Sequence, residues 1–214
     1  MKPFILVLSS PSGGGKTTIA RALLTARENL GFSISATTRA PRSGEKDGVD
    51  YHFLTVDEFV ERRERGEFLE WAEYSGNLYG TLEAEVERVL GEGRHVVLDI
   101  EIEGAKQVRE HRSDIASIFV LPPSADVLVK RLVGRDQGGA DTGVRARIER
   151  AMEEVREASE YDYVVVNDDR TQAVSEVAAI IDSESRRPSR VLDLDKQLAD
   201  LQNGIGAIID QMEQ

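Results

Sequence analysis

Apolar residues run unbroken through Phe4-Ile5-Leu6-Val7-Leu8, and the same character returns at His95–Ile100, Ile115–Leu121 and Tyr163–Val166. Short continuous apolar runs of this kind predict strands buried on both faces. A further strand is expected over 32–38. Elsewhere the apolar positions recur three and four apart, which predicts helices over Thr18–Leu30, ended by Gly31, and over 83–91, 103–112, 124–133, 144–160 and 171–185. Strands that alternate with helices imply an α/β fold of three layers, α/β/α, with a central parallel sheet.

Two stretches break this rhythm. Residues 39–82 are polar, carry Gly44, Gly48, Gly66, Gly76 and Gly80, and contain short extended pieces. They are expected to form an inserted subdomain, placed at 35–81, between core segments 1–34 and 82–187. Gly134–Gly143 is too long and glycine-rich for a plain connector and is expected to be a mobile lid near 134–146. Beyond the break at Arg186-Arg187-Pro188-Ser189-Arg190, Val191, Leu194, Leu198, Leu201, Ile205, Ile208 and Met212 recur at alternating steps of three and four. That is an a/d seam in an amphipathic helical tail, 188–214. It fits a two-stranded coil between subunits, a helix docked on its own domain, or a helix that binds another protein.

The first strand runs directly into Ser10-Pro11-Ser12-Gly13-Gly14-Gly15-Lys16-Thr17-Thr18 and then into a helix. Glycines let backbone N–H groups turn in around an anion, and the helix points its positive end at the same charge. The spacing is that of a phosphate-binding loop, with Ser10 in place of the first glycine. The loop assigns Ser10 through Thr18 to ATP, with Lys16 on the β and γ phosphates and the Thr17 hydroxyl helping to hold Mg²⁺. An acid at the end of a buried strand, here Asp99, commonly completes the metal site.

Bulk properties narrow the field. With 27 basic and 39 acidic residues the net charge is −12, which argues against nucleic-acid binding and requires positive charge to be concentrated locally. No cysteine is present, so thiolate chemistry is excluded, and a reducing, cytoplasmic setting is expected. No run approaches the roughly 20 apolar residues of a membrane span. The opening apolar run is too short for a secretory leader.

The inserted stretch is more specific than the loop. Thr37-Thr38-Arg39-Ala40-Pro41-Arg42-Ser43-Gly44-Glu45-Lys46-Asp47-Gly48-Val49-Asp50-Tyr51-His52-Phe53 resembles the signature of the guanylate kinase family. So do Glu67-Phe68-Leu69-Glu70-Trp71-Ala72, Tyr79-Gly80-Thr81, Leu98-Asp99-Ile100-Glu101 with Gly104-Ala105, Arg131 with Arg135, Arg147 and Asn167-Asp168-Asp169. The resemblance covers about residues 4 to 185. It implies a P-loop kinase fold with a GMP-binding subdomain and a lid, and transfer of the γ-phosphoryl group of ATP to GMP with Mg²⁺.

On that resemblance Arg39, Arg42, Tyr51 and Tyr79 hold the acceptor phosphate, and Glu70 accepts from guanine N1–H and its 2-amino group. Ser35, Thr81, Asp99 and Glu101 complete the acceptor site. Lys16, Arg39, Arg42, Arg131, Arg135 and Arg147 supply the catalytic cations, Thr17 and Asp99 the metal ligands, and Asn167 a contact near the adenine. Glu101 stands where the family usually has Asp, and Glu103 where it commonly has Gln. By residue type alone the arginines also fit solvated surface positions, and Glu70 a solvated acid beside Trp71. A scaffold module of the same shape typically lacks the loop lysine, which is present here. A signalling GTPase would carry Asn-Lys-x-Asp, but Asn167 is followed by Asp168. The expected partners are ATP and GMP, with no nucleic acid and no membrane, in a monomer or a homodimer joined through the tail.

Overall fold

The structure, a computed structural model, describes residues 1–74, 76–134 and 141–212, with the side chains of 141–143 left aside. Its centre is a five-stranded sheet, parallel throughout, in the order β2 (Leu30–Phe32), β7 (His95–Asp99), β1 (Ile5–Ser9), β8 (Ile115–Leu121), β9 (Tyr163–Val166). Successive residues of a strand face opposite sides. Leu6 and Leu8 therefore pack on Ile19 and Leu23 of α1 (Lys16–Ala26) and on Ala173, Val177 and Ile181 of α7 (Arg170–Glu184). Ile5 and Val7 pack the other way, on Val86 and Val89 of α3 (Glu83–Gly91) and on Ile102, Ala105 and Val108 of α4 (Ile102–His111). The three-layer α/β/α expectation holds.

A second, four-stranded sheet is built from the inserted stretch in the order β4 (His52–Phe53), β3 (Ala36–Thr37), β6 (Asn77–Leu82), β5 (Phe68–Tyr74). Only the β3–β4 pair in it is parallel. Its small core joins Ala36 and Leu82 to Phe59 of α2 (Val56–Glu64). The start of α2 is fixed by a capping box, in which the Thr55 side chain accepts from the Glu58 N–H and Glu58 reaches back to the Thr55 N–H.

Tertiary pairing overrode several local expectations. The first helix ends at Ala26, not Leu30, because Leu30 and Gly31 pair with His95 and Val96 in the sheet. Gly31 is not a helix cap: a Cβ there would lie 2.4 Å from Val89 Cγ1, so glycine lets α3 press against β2. The strand expected over 32–38 is two strands, one in each sheet, and 33–35 carry the chain between them. Of the helix expected over 144–160, α6 runs Asp141–Arg156 and Glu157–Glu160 tighten into a 3₁₀ turn. Before α6 in the chain comes α5 (Ala125–Val133), and part of the lid expected near 134–146 lies outside the described residues.

The tail begins with an anchored root. Arg190 is buried against the Phe4 ring, pairs with Glu184 and Asp114, and donates to the Ile115 carbonyl. Beyond it, α8 (Leu194–Met212) runs unbroken through Gly204 and Gly206. None of its described residues is buried, with Leu201 61% and Met212 81% exposed. The reading in which this helix docks on its own domain is therefore overturned.

Gly31→Ala should destabilise the fold by about 1–3 kcal/mol, the usual cost of overpacking against a stiff β-branched neighbour. Urea unfolding measures it; an unchanged midpoint would show that α3 moves aside freely.

Candidate functional site

The carboxyl ends of β1, β7 and β9 lie at one end of the parallel sheet, and the connections after β1 and β8 leave toward opposite edges, the usual setting of a ligand crevice in an open parallel sheet. The loop after β1 is shaped by left-handed backbone at Gly13 (φ 85°) and Gly15 (φ 98°). A Cβ on Gly14 would lie 2.6 Å from that of Ser10, and one on Gly15 would lie 2.3 Å from Asn167 Nδ2. Ser10, at the departed first position of the motif, is thus the buried floor of the turn, and its hydroxyl donates to the Pro11 carbonyl at 3.0 Å. The Gly14 N–H donates to the same carbonyl at 2.8 Å. Helix α1 starts at Lys16 with no acid in its first turn and no side-chain cap. Its amide ends and dipole are left to an anion.

Lys16 Nζ lies 2.7 Å from Glu101 Oε1 and 3.9 Å from Asp99 Oδ1. Burial opposes its charge, but the Glu101 and Asp99 carboxylates outweigh it and hold the ammonium above its ordinary range. The longer Glu101 arm thus reaches the loop lysine. Asn167, just after β9, is buried and donates its amide to the Gly14 carbonyl at 2.9 Å. Arg131 of α5 donates to the Gly14 and Asn167 carbonyls. Together with Gly13, Gly15, Thr18, Asp168 and Arg170, these two line an open hollow on the far side of the loop.

On the near side, a cavity of about 630 Å³ is lined by Thr17, Ser35, Arg39, Arg42, Tyr51, Tyr79 and Asp99, among others. An adjoining cavity of about 590 Å³ joins Ser12, Arg39, Arg42, Tyr79 and Arg147. Arg39 donates to Glu45 Oε1 at 2.9 Å and to the Ala40 carbonyl, with its guanidinium over the Tyr51 ring at 5.4 Å. The other Glu45 oxygen accepts from the Arg42 N–H at 2.7 Å. One carboxylate therefore holds both members of the arginine pair in place.

Deeper in, Ser35, Tyr51, Glu70, Tyr74, Tyr79, Gly80, Asp99 and Glu101 line a cavity of about 240 Å³. Glu70 is 5% exposed. Thr81 Oγ1 donates to its Oε1 at 2.6 Å, and a Cβ on Gly104 would lie 2.2 Å from its Oε2, so α4 must present glycine there. Burial pushes the Glu70 carboxyl up to about 7, with the Thr81 hydrogen bonds working against the shift. Gln107 of α4 accepts from the Trp71 N–H at 3.0 Å and donates to its carbonyl at 2.7 Å, fastening β5 beside Glu70.

The comparisons with known proteins agree with this layout. A family model described as guanylate kinase matches residues 1–184. The chain belongs to the guanylate kinase family. The guanylate kinase of Paramagnetospirillum magneticum is 47% identical over 201 residues, 94% of each chain. That of Symbiobacterium thermophilum is 47% identical over 189 residues, 88% of this chain and 89% of its own. The crystal structure of guanylate kinase from Anaplasma phagocytophilum superposes with a TM-score of 0.76 at 35% identity, covering 92% of this chain and 94% of that one. The P-loop kinase fold follows from this likeness.

Of the residues singled out in the sequence, Ser35, Arg39, Arg42, Tyr51, Glu70, Tyr79, Asp99 and Glu101 meet around the near-side cavities, with Thr81 bonded to Glu70. Lys16 stands against two of them, and Arg147 faces the arginine pair across the 590 Å³ cavity. Arg131 sits apart, on the far side of the loop. Arg135 lies outside the described residues. Sequence reading missed Glu45 and Gln107 as supports. Glu45 had a visible signal, an acid three residues after Arg42; Gln107 is an ordinary polar position on an amphipathic helix.

Proposed function

We propose that this guanylate kinase transfers the γ-phosphoryl group of ATP to GMP, giving ADP and GDP, with Mg²⁺, in the cytoplasm. The observation that carries the reading is the buried Glu70 carboxylate at the end of a small cavity that opens toward paired arginines and the phosphate loop. A carboxylate there accepts from two guanine donors together, and adenine offers no such pair; a mismatched base leaves it buried and unpaired. We assign the inserted sheet to the acceptor and the loop side of the core to ATP, with Asn167 bracing the loop.

Phosphoryl transfer asks the protein mainly for alignment and cancellation of charge. Arg39 and Arg42, with Tyr51 and Tyr79, grip the acceptor phosphate. Lys16 and the loop amides take the donor phosphates, while Arg131, Arg135 and Arg147 close around the chain as the lid, expelling water that would otherwise hydrolyse ATP. Asp99 Oδ1 is buried and takes no hydrogen bond, and Thr17 lines the same cavity. Hard oxygen donors in that number fit Mg²⁺, which keeps several waters and shares phosphate oxygens. When bound, the ion neutralises charge on the donor phosphates. No helix among the described residues is long and apolar enough to cross a membrane.

We further infer a homodimer joined through α8. Its a/d seam is exposed from Leu198 to Met212 while its root is locked by Arg190, so the seam is presented as a rigid unit to a second copy. Because Arg190 belongs to the core, only truncation beyond it tests the tail cleanly.

A coupled assay offering ATP with GMP, AMP, UMP and CMP tests the function. GMP should be strongly preferred. Lys16→Ala should lower kcat about 10³-fold with the fold intact. Glu70→Gln should lower kcat/KM for GMP about 10²-fold or more, since charge-assisted hydrogen bonds are worth about 1.5–3 kcal/mol each. Full activity in the first variant, or unchanged base choice in the second, would reject the assignments. The same group sets a pH dependence. Glu70 accepts from guanine only when ionised, which is full above its value of about 7 and lost below it. The KM for GMP should therefore rise about tenfold from pH 8 to pH 6, and this step should vanish in Glu70→Gln. Deleting residues 194–214 should leave kcat within about twofold and convert a dimer to a monomer in sedimentation; a dimer that survives the deletion places the interface elsewhere.

A further inference from the structure

Glu154 has no part in the readings above, yet it joins the phosphate loop to the helix that carries Arg147. Among residues 144–156 of α6, only Ala151 and Glu154 are buried. Among the described residues, the apolar cluster of this helix packs Ala151 and Ile148 against Leu128 and Leu132 of α5. Glu154 is 9% exposed; its Oε2 accepts from the Ser12 N–H at 2.9 Å, and its Oε1 accepts from Arg150 Nε at 2.8 Å. The Arg150 guanidinium in turn lies over the Tyr74 ring at 5.2 Å, and Tyr74 belongs to the acceptor-side sheet. One carboxylate therefore ties α6 to the loop, and through Arg150 to the opposite wall.

A buried carboxylate costs free energy unless it is paired and hydrogen-bonded, and Glu154 meets that need with Ser12 and Arg150. Arg147 lies seven residues before Glu154, two helical turns, on the same face of the helix. It opens into the cavity that Ser12 shares with Arg39 and Arg42. Alanine at 151 gives α6 only a small side chain against α5, and the hydrogen bond from Ser12 adds a polar tie beside that packing. We propose that Glu154 is a positioning residue: it fastens α6 to the phosphate loop at Ser12 and so sets where the Arg147 guanidinium enters the gap between donor and acceptor phosphates. This rests on the guanylate kinase reading of the site. An arginine displaced by about 1 Å from the transferring group loses up to about 10²-fold in rate, so the effect belongs to kcat and not to capture of GMP.

The test is a double-mutant cycle on the full chain, assayed with ATP and GMP. Glu154→Ala should lower kcat about 10–10²-fold, with the KM for GMP within about twofold. In an Arg147→Ala background the same substitution should cost no more than about twofold, because its effect runs through Arg147. Glu154→Gln, whose amide oxygen still accepts from Ser12, should recover most of kcat. If the alanine variant does not fold, Glu154→Asp, too short to span both partners, is read by the same cycle. Equal costs in the two backgrounds, an unchanged kcat, or no recovery in a folded glutamine variant overturns the proposal. A wild-type chain inactive with GMP overturns this proposal together with the reading of the site, whereas an active wild type with equal costs overturns this one alone.

Discussion

Cations gathered beside a phosphate-binding loop repel one another, and this acidic protein holds several of them by oxygen partners. Lys16 has Glu101 and Asp99; Arg39 has Glu45 and the Ala40 carbonyl; Arg131 has the Gly14 and Asn167 carbonyls; Arg150 has Glu154. A net charge of −12 spread over the chain is thereby compatible with a positive centre. The partners also fix orientation, since a guanidinium held on one edge can present the other to a ligand.

The proposed base reader has the opposite arrangement, a carboxylate with little to neutralise it. Glu70 is enclosed between β6 and α4, where Thr81 supplies one donor and Gly104 leaves room for the second oxygen. Raising its carboxyl to about 7 makes the site costly to ionise without a partner and rewarding to satisfy with one. In the proposed reading the same burial underlies both the choice of guanine and the pH dependence, so the two share one cause.

Arg190 links the core to the tail by similar means. Its guanidinium closes the base of the sheet against Glu184, Asp114 and the Phe4 ring, and His95 beside it is kept neutral, pushed down to about 4 by burial and by the Arg190 charge. The helix that follows departs from a fixed point, which favours a defined seam over a trailing segment.

Much was legible in the chain because it depends on neighbours in sequence. The apolar runs marked β1, β7, β8 and β9, the glycine spacing marked the phosphate loop, and Thr37–Phe53 with Glu70 pointed to the proposed acceptor site. Helix ends and strand division were not legible at 26–38, since Leu30 and Gly31 follow the sheet only when His95 and Val96 lie alongside. Nor were Glu45, Gln107 and Glu154 marked as supports, because a polar residue on a helix or turn acquires such a role only from what packs opposite it. Sequence alone thus marked the phosphate loop and the groups proposed to bind nucleotide, through local spacing and side-chain chemistry. Tertiary structure decided which carboxylate holds which cation, how far Glu70 is buried, and that the tail stands clear of its own domain, because each of these is fixed by contacts between residues tens of positions apart.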